Sequence, residues 1–428
     1  MFQVFINSIT QGLLPSVFKF LIIFLPIFIP LLLLYLAWVI RYRWLVMKFI
    51  DKQKTCLLEI KLPKEITKSP AAMEIFFSYF FQSGAANYGE AFIDGRTRPW
   101  FSCEMISIGG EVKFFVWCSL AAKFKSIVES QLYAQYPNVE IYEVPEDKDY
   151  TKAIHFVKDK YFIFGLQYAL TKPDPFPIKT YVDYGLDKDQ KDEYKIDPLT
   201  AVLEFLGSMK KGENVWIQIL VRKHEKEGWK HGKFREGKDL KKEAADEIEK
   251  IRQEAIPKST GDDTFKFPNP TKGQMEIIAA LERVANKPSL DCMIRSLYIA
   301  EKDSFNIANI GGTIGSLRQF NSNKLNGFKP GFITDITDEQ KDLARIFPFL
   351  KRSYTAEVNA YKKDILHAYK LRSFFEWPYK NLGDDKPFVL TTEELATIFH
   401  FPSVIVSQTP TLTRVSSKKS EAPANLPV

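Results

Sequence analysis

Three glycines in IGGTIGS, Gly311, Gly312 and Gly315, follow strand-like sequence, but the pattern is too weak by itself to be a phosphate cradle. Close packing of a helix explains glycines there equally well. The complete loop GxxxxGK(S/T), whose amides and lysine would hold nucleotide phosphates, occurs nowhere in the 428 residues. The five histidines, His155, His224, His231, His367 and His400, share no ligand spacing. His224 and His231 lie among glutamates, where a solvated loop is the default and a metal site the alternative. His400, between Phe399 and Phe401, reads as a helix-end or packing residue. Cys56, Cys103, Cys118 and Cys292 form no CxxC pair. Three of them sit in strand-like apolar sequence, which implies buried free thiols in a reducing compartment rather than a disulfide framework or a zinc site. No nucleophile–base pairing is visible. The expectation is a non-enzyme with no catalytic, cofactor-binding or metal-binding residues, a site assembled by folding from distant residues being the enzymatic alternative.

A different chemistry is suggested by FPFLKRSYTAEVNAYKKDILHAYKLRSFF, Phe347 to Phe375, which interleaves lysines and arginines with aromatics. A nucleic-acid or acidic-lipid surface has this composition, and so does an ordinary amphipathic helix lying on a sheet. The strands lack the aromatic signature of an RNA-recognition sheet. A net charge of +7 is modest for this length, and 45% hydrophobic with 14% aromatic residues excludes a disordered or fibrous chain.

The elements that must carry these residues begin with FLIIFLPIFIPLLLLYLAWVI, Phe20 to Ile40, an uncharged run of the length a hydrocarbon core about 30 Å thick requires. Pro26 and Pro30 predict a kink, which membrane helices tolerate. After the run come Arg41, Arg43, Lys48, Lys52 and Lys54, with Tyr35, Trp38, Tyr42 and Trp44 as interfacial aromatics, whereas Lys19 is the one basic side chain on the other flank. The positive-inside rule therefore puts the body after Ile40 in the cytoplasm of a single-pass protein. Pro26, Pro30, Trp38, Arg41, Arg43, Trp44 and Lys48 form the expected anchor and interface. Residues 1–19 are a short extracytoplasmic tail and 41–55 a basic juxtamembrane segment.

The body reads as α+β. Over 56–150, CLLEIKLP is a strand, AAMEIFFSYFFQSG a helix, and WFSCEMISIGGEVKFFVWC a hairpin around Gly109–Gly110. A helix follows with Leu120, Phe124, Val128, Leu132 and Tyr136 at i+4 steps, and NVEIYEV closes as a strand. This β-α-β-β-α-β order is that of a split βαβ, ferredoxin-like sandwich. A second α/β sandwich is expected over 155–335. Its strands are YFIFGLQYAL, IKTYVDYG, ENVWIQILVRKH and SLDCMIRSLYIAEK. Its helices include DPLTAVLEFLGSM, with Asp197 as N-cap and Pro198 at N1. A charged insertion, 223–270, contains a helix with a narrow apolar seam, Leu240, Ala244, Ile248, Ile251 and Ala255. That helix reads as a solvated arm or a partner-contacting one.

Residues 336–400 are the basic-aromatic helical region and a short capped helix, LTTEELATIFHFP. Thr391 as N-cap and Glu394 at N3 make a capping box, and Leu390 with Leu395 a hydrophobic staple. Residues 401–428 read as an extended Pro- and Ser-rich tail. Such a segment gains stability only by docking on another surface. The expected partner-docking residues are Thr391, Glu394, Leu395, Phe399, His400, Pro402, Pro410, Arg414 and Pro427.

Several stretches in order, LLEIKLPKEITKSPAAMEIFF, SIVESQLYAQYPNVEIYEV, KIDPLTAVLEFLGSMKKGENVWIQILVR, LRQFNSNKLNGFKP and VLTTEELATIFHFPS, resemble bacterial membrane-anchored proteins. These are similar to the region that precedes, or is fused to, a HerA/FtsK-class ATPase of type IV secretion or conjugation-like systems. In the fused relatives a Walker A loop follows this type of tail, and here the sequence ends at Val428. The resemblance implies a scaffold at the cytoplasmic membrane that recruits a separate P-loop ATPase. A membrane-tethered nucleic-acid-binding module is the alternative. Membrane lipid is the other expected partner. Self-association as a homo-oligomer is left open, and nucleic acid enters only indirectly.

Overall fold

The computed structural model describes residues 14–63, 66, 68–80, 88–156, 160–188, 196–225, 239–256, 268–335, 345, 350–380, 382, 386–402 and 414–415. The chain divides into two compact units, Met1–Lys52 with Ala86–Thr97, and Gln53–Ala85 with Arg98–Val428. In the first, helix α1 (Leu14–Lys52) runs through both Pro26 and Pro30. A short helix follows later in the chain, α3 (Tyr88–Phe92), while α2 (Ala71–Tyr79) belongs to the second unit.

The second unit is built on one continuous sheet. Its first half uses β1 (Cys56–Pro63), β2 (Phe101–Ile108), β3 (Glu111–Cys118) and β4 (Glu140–Val144), with α2 and α4 (Ala121–Gln135) as crossovers. The hairpin turn between β2 and β3 needs positive φ at Gly109 and Gly110, 60° and 94°. A Cβ on Gly110 would also lie 2.6 Å from the Met209 carbonyl oxygen. The second half repeats the order with β5 (Tyr161–Leu170), α5 (Leu199–Gly207), β6 (Glu213–Lys223), β7 (Ser289–Glu301), α8 (Ala308–Gly315) and β8 (Phe328–Ile333). Between β6 and β7 it inserts α6 (Leu240–Glu254) and α7 (Lys272–Ala285). In space both halves run fourth, first, third, second: β4-β1-β3-β2 and β8-β5-β7-β6.

The two expected sandwiches share this sheet because β2 and β6 pair antiparallel along their length, from Phe101 opposite Val221 to Ile108 opposite Asn214. Each would otherwise be an edge with unpaired N–H and C=O groups, and pairing removes both edges together. IKTYVDYG, expected as a strand, is a turn instead. The Asp183 carboxylate accepts hydrogen bonds from the Thr180 amide and hydroxyl at 2.8 and 3.3 Å, and Gly185 takes φ 72°. Asp side chains that bond the nearby backbone compete in this way with sheet formation. The insertion helix α6 packs its seam on α7, with Leu240, Ala244 and Ile248 buried. It is a helix pair rather than a free arm.

One face of the sheet carries α2, α4, α5 and α8 over a single apolar core. On α4 the i+4 residues Phe124, Val128, Leu132 and Tyr136 are buried in it, as expected. The other face is covered by α9 (Leu350–Lys370), whose Ile365 occupies the space a Cβ on Gly165 would need, 2.8 Å away. From α9 the chain reaches β9 (Phe388–Thr391), which pairs with β7, and then α10 (Thr392–Ile398) on the first face. The C-terminal segment thus passes from one face to the other. A two-residue strand, β10 (Arg414–Val415), pairs parallel with β1 at Leu62 and Pro63.

Candidate functional site

Two candidate sites follow from the sequence, the anchor and the C-terminal motif. In the first unit, residues 25–52 of α1 form a helix long and apolar enough to cross a membrane, with mean hydropathy 1.9. Pro26, Pro30, Trp38, Arg41, Arg43, Trp44 and Lys48 are all solvent-facing or half-buried on this helix. Arg41, Trp44 and Lys48 share a face by i+3 and i+4 spacing, and the Lys48 ammonium lies 4.7 Å from the Trp44 ring centre. Sequence reasoning missed that residues 88–97 return to this helix. The Phe92 ring lies 6.2 Å from Trp38 and 5.8 Å from Tyr42. Gly95 packs so tightly on α1 that its Cβ would lie 2.4 Å from the Leu45 carbonyl carbon. Its φ of 69° suits glycine for the same reason. Ile93, beside Phe92, is 65% exposed.

The C-terminal motif forms its capping box as the residue types dictate. Thr391 accepts from the Glu394 amide, and the Glu394 carboxylate accepts from the Thr391 amide at 2.8 Å. Its position corrects the docking expectation, because Thr391, Glu394, Leu395, Phe399, His400 and Pro402 are buried in the sheet unit. Every residue of α10 is buried, including Thr392, Glu393 and Thr397. Glu393, Glu394 and Thr397 can be, because their side chains have partners, and the Thr392 amide bonds the Pro288 carbonyl. Glu394 accepts from the Ile178 amide at 2.9 Å, and Glu393 meets the Thr180 hydroxyl at 2.6 Å, Lys287 at 2.7 Å and Arg283 at 3.2 Å. Burial pushes the Glu394 carboxyl up to about 7 against the hydrogen bonds that favour its charge. His400 places Nδ1 2.9 Å from the Ala396 carbonyl and Nε2 3.0 Å from Asp197. Asp197 also receives the Leu199 amide at the start of α5, one residue before the N-cap position, which Pro198 takes in place of the expected Asp197. Burial works to raise the Asp197 pKa, yet His400 and the Leu199 amide together hold it below the usual carboxylate value. Arg414 lies on β10. Pro410 and Pro427 fall outside the described residues.

A third set of residues escaped sequence reasoning. Along the sheet face under α9, Glu104, Gln218, Arg295 and Gln167 stand directly opposite one another on β2, β6, β7 and β5. All four are buried. Arg372 reaches Glu104 through Nε and Nη2 at 3.0 and 3.2 Å, and Asp149 through Nη1 at 2.6 Å. Glu104 also accepts from Ser102 at 2.7 Å, Gln218 at 2.9 Å and Tyr150 at 2.8 Å. Arg372 closes α9 in the left-handed conformation, φ 48°, where glycine is usual. The Ser373 amide bonds the Ala368 carbonyl and the Arg372 amide that of Tyr369, completing the helix end. The ion pairs offset this backbone strain. Burial pushes Arg295 down to about 9, while its Nη2 donates to the Ser373 carbonyl at 2.7 Å. Beside this row Asp291 meets Arg222 at 2.9 Å and His224 at 2.6 Å. Burial would raise Asp291, but His224, Arg222 and Arg98 hold it below the ordinary range. The Arg372 ion pairs, together with the bonds from Arg295 to Ser373 and from Gln218 to the Tyr369 carbonyl, tie the end of α9 to both halves of the sheet.

The remaining sequence candidates resolve as packing. A Cβ on Gly312 would meet Phe205 Cε2 at 2.2 Å, whereas Gly311 and Gly315 have open space, so Gly312 alone of the three seats α8 on α5. Among the described residues no group of three or more His, Cys, Asp or Glu could hold a metal ion. His231 lies outside them. The basic-aromatic stretch supplies α9, which buries Ile365, Leu366, Ala368 and Tyr369 against the sheet. All four cysteines are buried and free, with Cys56 and Cys118 facing each other at 2.7 Å between sulfurs.

Comparison with known proteins gives a family without an activity. Residues 57–413 match the family described as a domain of unknown function, DUF8128. No curated protein matches the sequence.

Proposed function

We propose, for a chain that belongs to the DUF8128 family, a non-catalytic scaffold held at the cytoplasmic membrane by α1, with its sheet unit in the cytoplasm. The observation that carries this reading is the junction between anchor and sheet. The apolar helix continues to Lys52, and residues 53–55 alone separate it from β1, the first strand of the sheet. Basic residues 41–54 favour the cytoplasmic side for the sheet unit. The scaffold's client is a separate HerA/FtsK-class translocation ATPase of a type IV secretion-like system, a choice supported by the ordered segment resemblance. Because 391–402 belong to the core, the docking element of the tail is confined to residues after 402.

Crosslinking the full chain in its native membrane, followed by mass spectrometry, should identify a P-loop ATPase. Removing residues 403–428 should reduce that crosslink while the far-ultraviolet circular dichroism stays unchanged. Recovery of the chain with no P-loop ATPase attached sinks the recruitment reading. Proteolysis in inside-out vesicles tests the orientation separately, since a protected sheet unit there would reverse it.

A further inference from the structure

We propose that residues 88–93 dip into the same membrane as α1, so that Phe92 and Ile93 form a second, interfacial lipid contact. The proposal rests on the reading of α1 as a membrane span and adds a segment to which the sequence assigned no role. If the hydrocarbon core ends near Ile40, Trp38 lies about 3 Å inside that boundary and Tyr42 about 3 Å outside it, at 1.5 Å per helical residue. Phe92 sits against both rings, 6.2 and 5.8 Å away, and so lies at the depth of the interfacial aromatics. Gly95 is held against Leu45 and Val46, which lie farther along α1 and away from the span. The chain between these two fixed points therefore descends from the membrane boundary, with Ile93 next to its upper end.

Ile93 is 65% exposed, and the apolar surface it extends is that of α1 itself, where Ile40 is 67% and Trp38 49% exposed. A bilayer covers that surface and would cover Ile93 with it. The occupant is the boundary between acyl chains and headgroups rather than an anionic lipid specifically. The segment's charges, Glu90, Asp94 and Arg96, sum to a net negative, and Arg96 is paired with Glu90 at 2.7 Å. Insertion is driven by apolar contact, so it should persist in zwitterionic lipid.

The test uses the full chain in phosphatidylcholine nanodiscs with an environment-sensitive fluorophore on Ile93→Cys. The native thiols are buried and stay unlabelled. Parallel labels go on Leu33→Cys, inside the span, and on Lys250→Cys, whose side chain is 63% exposed on α6. The label at 93 should be quenched by lipids carrying a shallow nitroxide and be several-fold less sensitive to aqueous iodide than the label at 250. Lipid quenching at 33 with an iodide response at 93 equal to that at 250 overturns the proposal and leaves the span standing. Iodide access at 33 overturns the span and the proposal together. Gly95→Val, which cannot approach Leu45, should raise iodide access at 93, and an unchanged response there counts against the pinned geometry.

Discussion

Replacing Arg372 by Met should destabilise the sheet unit by about 3–5 kcal/mol, the usual result of removing one partner from a buried ion pair. Glu104 is fully buried and loses the contacts at 3.0 and 3.2 Å, and Asp149 loses its contact at 2.6 Å. Because Glu104 keeps donors from Ser102, Tyr150 and Gln218, the lower end of that range is expected. The cost is that of an orphaned charge, so Glu104→Gln in the same chain should recover a large part of it. A third variant separates charge from backbone. Arg372→Gly relieves the left-handed strain at φ 48°, and should be less damaging than Met by about 1 kcal/mol. Urea unfolding of the full chain in detergent, followed by tryptophan fluorescence, to which the buried Trp100, Trp117 and Trp216 contribute, reports all of these. A loss under about 1 kcal/mol for Arg372→Met, or a double variant no more stable than the single one, refutes the argument that this pair clamps α9.

Three further outcomes follow from individual residues. Glu394 is raised to about 7 in the fold from an ordinary 4.5, so the native state binds the extra proton, and stability should fall by about 3 kcal/mol as pH rises from 4.5 through 7. Unfolding free energies of the wild type and Glu394→Gln across that window check this, and parallel curves would be inconsistent with it. Gly312→Ala should cost about 1–3 kcal/mol through its clash with Phe205, while Gly311→Ala, with nothing near its Cβ, should be neutral or stabilising by up to about 1 kcal/mol; thermal melts distinguish them. All four thiols should resist a water-soluble disulfide reagent in the folded protein and react on unfolding, and fast reaction of any one would contradict its burial.

The sequence carried the local half of this fold. Gly109–Gly110 marked the hairpin, the i+4 row on α4 marked its buried face, and Thr391 with Glu394 marked the start of α10. What it did not carry is where those elements go. No local pattern says that β2 pairs with β6, because the contact joins residues more than a hundred apart. Glu104 in FSCEMISI alternates with apolar residues as a solvent-facing side chain would, and α9 covers it from 268 residues away. TEELATI reads as surface for the same reason, since four of its seven residues are polar, yet Glu393, Glu394 and Thr397 each have a partner from a distant segment. Buried ionic partners leave no periodic trace. The return of residues 88–97 to α1 was hidden because its marker, a glycine needed for backbone-to-backbone approach, looks like any loop glycine.

The passage of residues 350–402 from one sheet face to the other also sets an order of events during synthesis. α1 and the first four strands emerge early, but α9, β9 and α10 are made last among the elements that seal the two faces. At about 5–20 residues per second, the 280 residues between Ile108 and Phe388 take on the order of tens of seconds to add. Throughout that interval the nascent sheet has neither its α9 cover nor the apolar plug formed by Leu395, Ile398 and Phe399. Until then the growing chain leaves the apolar core side of its sheet open, which makes it a natural client for chaperones that attend the translating ribosome.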